Sequence, residues 1–239
     1  MIAGMRQLEQ TLGRPVANAS FAMMQGYIRS SRRRGIGMLH TARPFDLYRK
    51  IFFGGRSRSG VLRDLQHKTI VDIGCGYTPY ARDSMFRACH DAGIEFYGVD
   101  PLIGQDVNFG LKEKALAIAT GSAGKFSKRA PGLDKAISAQ AQHMPFDDAS
   151  VDEILCCFLL FVWINDEAVL KDILQECLRV LKPGGSLKLF PLQEWRFVDI
   201  RNRELKLLLE QFRVEQNFIH GYGDIRIMPA MLTKLTRIS

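Results

Sequence analysis

From residue 68 onward, short apolar runs alternate with segments whose apolar positions recur every three or four residues. "TIVDIG" (69–74) is a continuous, largely β-branched run, the pattern of a strand buried on both faces. "IEFYGVD" (94–100), "KAISAQ" (135–140), "VDEILCCFL" (151–159) and "GSLKLFPL" (185–192) predict four more strands. Between the first two, "PYARDSMFRACHDAG" predicts a helix starting at Pro79, where proline is tolerated, and ending near Gly93. "NDEAVLKDILQECLRVLK" (165–182) reads as a capped amphipathic helix that "KPGG" stops. The connection over 103–134 is long, with a predicted helix at "LKEKALAIA" and a loop at "TGSAGKFSKRAPG". Strands alternating with helices predict an α/β fold with a doubly wound, mostly parallel sheet.

Before residue 68 the rhythm differs. Residues 1–30 read as helix with scattered apolar positions, "SSRRRGIG" interrupts it, and "PFDLYRKIFF" sets Phe45, Tyr48 and Phe52 on one helical face. "GGRSRSG" is a flexible joint. The expected division is therefore 1–67, a helical extension, and 68–239, the sheet domain.

Charge sharpens this division. Residues 1–68 hold thirteen Lys/Arg against three Asp/Glu, a net of +10, while the whole chain is +8, so residues 69–239 carry −2. Two uses of the basic segment follow. As a lid, its apolar residues pack near the site while the arginines point to solvent. As an RNA arm, Arg29, Arg32, Arg33 and Arg34 contact phosphates. Only Tyr27 is interleaved with them, too few aromatics for a base-stacking platform, which favours the lid.

Composition excludes several classes. The chain is 46% hydrophobic and 24% charged, as in an ordinary globular protein. No apolar stretch approaches the ~20 residues of a membrane helix, and "MIAGMRQLEQTLGRP" lacks the charged front and apolar core of a signal peptide. Cys75, Cys89, Cys156, Cys157 and Cys177 match no zinc spacing and read as reduced, buried thiols; a cytoplasmic protein without a metal is expected.

In a doubly wound sheet, ligands bind beyond the carboxyl ends of the strands. "GCGYTP" offers a backbone without Cβ atoms at Gly74 and Gly76. It departs from the dinucleotide pattern, because Pro79 takes the third glycine's place and removes an N–H donor where a pyrophosphate needs one. Asp100, ending the second strand, can accept both hydroxyls of a ribose. A ligand with a free ribose and no pyrophosphate follows.

Four motifs in order, "VDIGCG", "VDP", "MPFDDASVDEIL" and "RVLKPGGSLKLF", resemble the class I S-adenosylmethionine-dependent methyltransferases over roughly half of the chain. The resemblance implies a Rossmann-like methyltransferase sheet and S-adenosylmethionine as cofactor. It places Gly74, Cys75 and Gly76 under the methionine and ribose, and Asp72 near the methionine ammonium. Asp100 would hold the ribose diol, Pro101 would pack on adenine, and Ala141 and Gln142 would line the adenine edge. Gln140 stands where the family has Asp and can accept from the adenine amino group as a neutral partner. Phe158 would lie near the methionine end.

A sulfonium methyl is already activated, so alignment and exclusion of water suffice and no fixed catalytic residue is required. His143 and His220 are the bases available by type. "CCFLLFVWIND" lacks an N-P-P-Y tetrapeptide. Its Leu160, Phe161, Val162 and Trp163 suit an apolar acceptor wall, joined by Trp195 and Phe197. The favoured acceptor is small or lipid-like; RNA is the alternative, and a binding protein that lost catalysis a third reading.

Overall fold

The structure is a computed structural model that describes residues 15, 18, 19, 21–31, 33, 34, 41–105, 109–111, 114, 115, 118, 125–193, 195–220, 227 and 229–239. Seven strands form one sheet: β1 (Thr69–Ile73), β2 (Glu95–Val99), β3 (Ala136–Ile137), β4 (Val151–Cys157), β5 (Leu181–Phe190), β6 (Phe212–Ile219) and β7 (Ala230–Arg237). Their order is β3-β2-β1-β4-β5-β7-β6. The first five are mutually parallel, and β7 runs antiparallel between β5 and β6. The expected mostly parallel α/β sheet is therefore present, extended by an antiparallel pair that the apolar pattern does not announce.

Helices cover both faces. A helix over 21–31, α1, is followed by α2 (Phe45–Phe52), α3 (Arg58–Leu65), α4 (Met85–Asp91), α5 (Glu167–Val180), α6 (Trp195–Val198) and α7 (Arg203–Leu209). Asp166 caps α5 by accepting from the Ala168 and Val169 N–H groups, and its inner stripe of Leu170, Ile173, Leu174, Cys177 and Val180 is buried. The expected helix from Pro79 begins later. Thr78–Tyr80 form one 3₁₀ turn, and α4 starts only where Ser84 accepts from the Arg87 N–H. The third strand shortens to two residues. The described residues of the expected helix after 110 (111, 114, 115 and 118) are helical.

Strand alternation puts Val71 and Ile73 on one face of β1, with α5 and α7, and Ile70 and Asp72 on the other. That second face packs against α2, α3 and α4 through Tyr48, Ile51, Val61 and Leu65. Each such side chain contributes about 1.5–3 kcal/mol of burial. Residues 45–65, assigned by sequence to the extension, thus share one core with the sheet. Helix α1 belongs to a separate cluster: among the described residues, Phe21 and Ile28 pack with the buried Val162 and with the partly buried Met24, Phe158 and Trp163.

Candidate functional site

The glycine turn follows β1 and is tied to the end of β2. Gly74 N–H donates to the Val99 carbonyl (2.8 Å), and Gly76 N–H to Asp100 Oδ2 (2.9 Å). Asp100 Oδ1 accepts from Leu102 N–H (3.0 Å). Each oxygen of Asp100 thus keeps lone-pair capacity for a further donor.

Both glycines have left-handed backbones, and both close approaches are to the chain itself. A Cβ on Gly76 (φ +56°) would lie 2.8 Å from the Thr41 carbonyl oxygen, and one on Gly74 (φ +66°) 2.6 Å from Leu159 Cδ2. Residues 41–44 therefore form a strap across the turn. Thr41 O accepts from Tyr77 N–H (3.1 Å), and Arg43 N–H donates to Thr78 Oγ1 (3.2 Å).

Behind the turn lies a buried polar cluster that sequence reasoning missed. Arg43 is 8% exposed, and its guanidinium donates to the carbonyls of Gly74 (3.2 Å) and Cys157 (2.6 Å) and to the Tyr48 hydroxyl (3.3 Å). Tyr48 donates to Asp72 Oδ2 at 2.6 Å. Asp72 is fully buried, and its Oδ1 has no hydrogen-bond partner among the described residues. Burial pushes the Asp72 carboxyl up to about 7, although Arg43 and the Tyr48 hydrogen bond pull it down; Asp100 adds to the rise. Burial likewise raises Tyr48, and the Asp72 charge adds to it. For Arg43, burial opposes the charge, but contacts with Tyr48, Cys157 and Asp72 outweigh it and the value is raised. All five cysteines are free and buried, and burial pushes Cys89, Cys156 and Cys157 up to about 12, so their thiols are unreactive at neutral pH.

The structure brings Asp72, Gly74, Cys75, Gly76 and Asp100 together at the carboxyl ends of β1 and β2. Ala141 joins them from beyond β3, buried with Val71, Ile73 and Val99. Gln142 is half-buried; Gln140 and Pro101 are exposed. Phe158 follows β4 with a left-handed backbone (φ +60°) and an edge contact to Phe190 at 5.6 Å. Such a conformation in a bulky residue is a strained feature held by its surroundings. His143 and His220 are both exposed. His220 follows the outermost strand β6, four places along the sheet from β1.

Phe161 and Phe197 face each other at 6.0 Å, and Trp163 is half-buried against the α1 cluster. Gln25 of α1 donates to the carbonyls of Phe161 (3.2 Å) and Val162 (3.3 Å). Beside them opens a cavity of about 310 Å³ lined by Gln25, Ile28, Arg29, Phe161, Asn165 and Arg196, among others. The side chain of Trp195, Arg32, and residues 120–124 of the expected loop lie outside the described residues.

This geometry coincides with a recognised domain: the family described as "Methyltransferase domain" matches residues 71–189. The chain belongs to the class I S-adenosylmethionine-dependent methyltransferases, and S-adenosylmethionine is its cofactor. It is 37% identical over 92 residues to a malonyl-[acyl-carrier protein] O-methyltransferase of Coxiella burnetii; that match covers 38% of this chain but only 28% of the relative. Solved structures similar to it include a methyltransferase of Methanosarcina mazei (17% identity, 74% of this chain, 97% of that one, TM-score 0.44). Another is the N-methyltransferase NodS of Bradyrhizobium japonicum (12%, 76% and 94%, TM-score 0.42). The residues present fit the cofactor, since the orphaned Asp72 Oδ1 lacks a donor that an ammonium supplies and Asp100 retains acceptor capacity for a diol. Among the described residues, no group of three metal-ligating side chains is present, and no helix is long and apolar enough to cross a membrane.

Proposed function

We propose that the chain moves the cofactor's methyl group to a small or lipid-like acceptor bound beyond β4 and β5, under a cover formed by α1. The bound sulfonium supplies an electrophilic methyl group. Asp72 pairs with the methionine ammonium, Asp100 holds the ribose, and Gly74, Cys75 and Gly76 pass beneath the methionine and ribose. Pro101, Gln140, Ala141 and Gln142 surround adenine, with Phe158 at the methionine end. Leu160, Phe161, Val162 and Trp163 form the acceptor wall and exclude water from the in-line transfer.

One observation carries the acceptor reading: the cavity of about 310 Å³ lies between α1 and the segment after β4, with Ile28, Phe161, Leu170 and Ile200 in its lining beside the charged Arg29, Glu167, Arg196 and Asp199. It is of the size used for small-molecule ligands. The Coxiella relative, named for O-methylation of a malonyl group on a carrier protein, supports a small acceptor group. The basic segment supports RNA instead, since Arg29, Arg33 and Arg34 are exposed. Incubation with tritiated S-adenosylmethionine and fractionated lysate decides: label in the organic extract is expected. Label in RNA, lost when Arg33 and Arg34 become Ala, overturns the acceptor assignment; cofactor binding without any transfer marks a non-catalytic binding protein.

A further inference from the structure

We propose that Arg43 and Tyr48 are positioning residues of the cofactor site, holding Asp72 as the anionic partner of the cofactor's methionine ammonium. This rests on the reading of Asp72 given above and adds two residues that lie outside the matched domain, which begins at residue 71.

The direction of the hydrogen bonds carries the argument. A guanidinium only donates, so in the Arg43–Tyr48 contact the hydroxyl oxygen accepts. The single hydroxyl proton of Tyr48 is therefore free for Asp72 Oδ2, and the 2.6 Å separation is that of a charge-assisted bond. Order runs one way, from Arg43 through Tyr48 to Asp72, and ends on a carboxylate whose other oxygen is buried without a donor. A buried acceptor left unpaired is costly unless a ligand completes it.

Arg43 also fixes where that oxygen stands. Its fork spans the Gly74 carbonyl on the glycine turn and the Cys157 carbonyl at the end of β4. These mark the two strand ends between which the methionine would run. Lysine cannot reproduce this arrangement, because it presents a point charge rather than a planar fork. Arg43 and Asp100 act on Asp72 with charges of opposite sign, so removing Arg43 leaves a repulsive neighbour uncompensated. The Phe variant of Tyr48 removes one oxygen atom and preserves the packing of the ring against Phe52.

Calorimetry on the full chain with two ligands tests this. S-adenosylhomocysteine carries the ammonium; 5′-methylthioadenosine shares the adenine, ribose and sulfur but lacks the amino acid. Tyr48→Phe is expected to weaken S-adenosylhomocysteine by about 5- to 10-fold, the net worth of one ordinary hydrogen bond, and to leave 5′-methylthioadenosine within about twofold. Arg43→Gln should cost more, and Arg43→Lys should recover part of the loss. Should Arg43→Gln fail to fold, Tyr48→Phe alone decides. Equal losses for both ligands, or unchanged S-adenosylhomocysteine affinity in Tyr48→Phe, would show that the cluster is merely structural. A wild-type chain that binds 5′-methylthioadenosine and S-adenosylhomocysteine equally well removes the Asp72 reading itself; one that binds neither overturns the cofactor site along with it.

Discussion

Two regions of the sheet use charge in opposite ways. Across β4 to β7, an open groove that begins at the amino ends of β4 and β5 carries Lys182, Lys188 and Lys234, and each ends on a carboxylate: Asp152 at 2.8 Å, Glu153 at 2.7 Å and Glu215 at 3.4 Å. At the carboxyl ends, Arg43 donates to backbone carbonyls and a hydroxyl, and Asp72 is left with one oxygen unpaired. Pairs that satisfy each other gain nothing from a ligand. A buried charge short of one partner does, and perturbed, incompletely satisfied groups of this kind mark functional ends.

Gly76→Ala attacks the functional end hardest. It forces a side chain into a left-handed backbone and onto the Thr41 carbonyl, which cannot swing aside as a flexible side-chain tip can. We expect a loss of about 3 kcal/mol in a urea melt, combining the positive-φ cost with displacement of the strap. A loss below about 1 kcal/mol would mean that the strap adjusts freely.

Asp100→Ala comes next. It removes the proposed ribose clamp and orphans the N–H groups of Gly76 and Leu102. Cofactor affinity should fall about 10- to 100-fold and stability by about 1–3 kcal/mol. Loss of stability with intact affinity, read by calorimetry beside the melt, would make Asp100 a turn-former only.

Asp72 sharpens the comparison through pH. Its folded value is raised to about 7, with burial as the leading cause. The ionised form is thus the disfavoured one, and stability is lost as pH climbs from about 4, the unfolded value, to about 7. Asp72→Asn should abolish that loss and melt later than wild type at pH 8, while binding S-adenosylhomocysteine about tenfold more weakly. On the proposed pairing of the ammonium with an ionised Asp72, wild-type affinity should drop on acidification from pH 7.5 to 5.5. The slope should approach tenfold per pH unit below the raised value. A flat profile in calorimetry would detach Asp72 from the ammonium.

Lys182→Ala at the opposite end should do least. The pair is partly exposed, so a melt should shift by about 0.5 kcal/mol or less, with cofactor affinity unchanged.

Local pattern sufficed where neighbours in sequence decide structure. The β-branched run of β1, the acid ending β2, and the cap and stripe of α5 are visible in the letters. So is the gathering of Asp72, Gly74, Cys75, Gly76 and Asp100, because adjacent parallel strands place their carboxyl ends side by side. β6 is different: six of its eight residues are exposed or half-buried, with Arg213 and Glu215 among them, so no apolar run marks it. Pro79 announces a helix that Ser84 delays, because the 3₁₀ turn intervenes. Arg43 was illegible for a stronger reason. Its partners include a carbonyl 114 positions away, and nothing around "ARPF" distinguishes it from the solvent-facing arginines upstream. Tyr48 looked like one more member of an apolar face; its ring is that, and only its hydroxyl reaches Asp72.

The strap has a consequence for how the molecule is made. Thr41 and Arg43 leave the ribosome well before Tyr77 and long before Cys157, yet the glycine turn is closed by the first pair and braced by the second. The Thr41 contact can form once residue 77 has emerged, but the Arg43 guanidinium cannot complete its set until the fourth strand is synthesised, and contacts of such separation slow folding. For anyone transplanting the methyl-transfer unit into another protein, the cut belongs ahead of residue 41: a graft beginning at β1 would carry the glycine turn, the proposed floor of the cofactor site, without the strap that braces it.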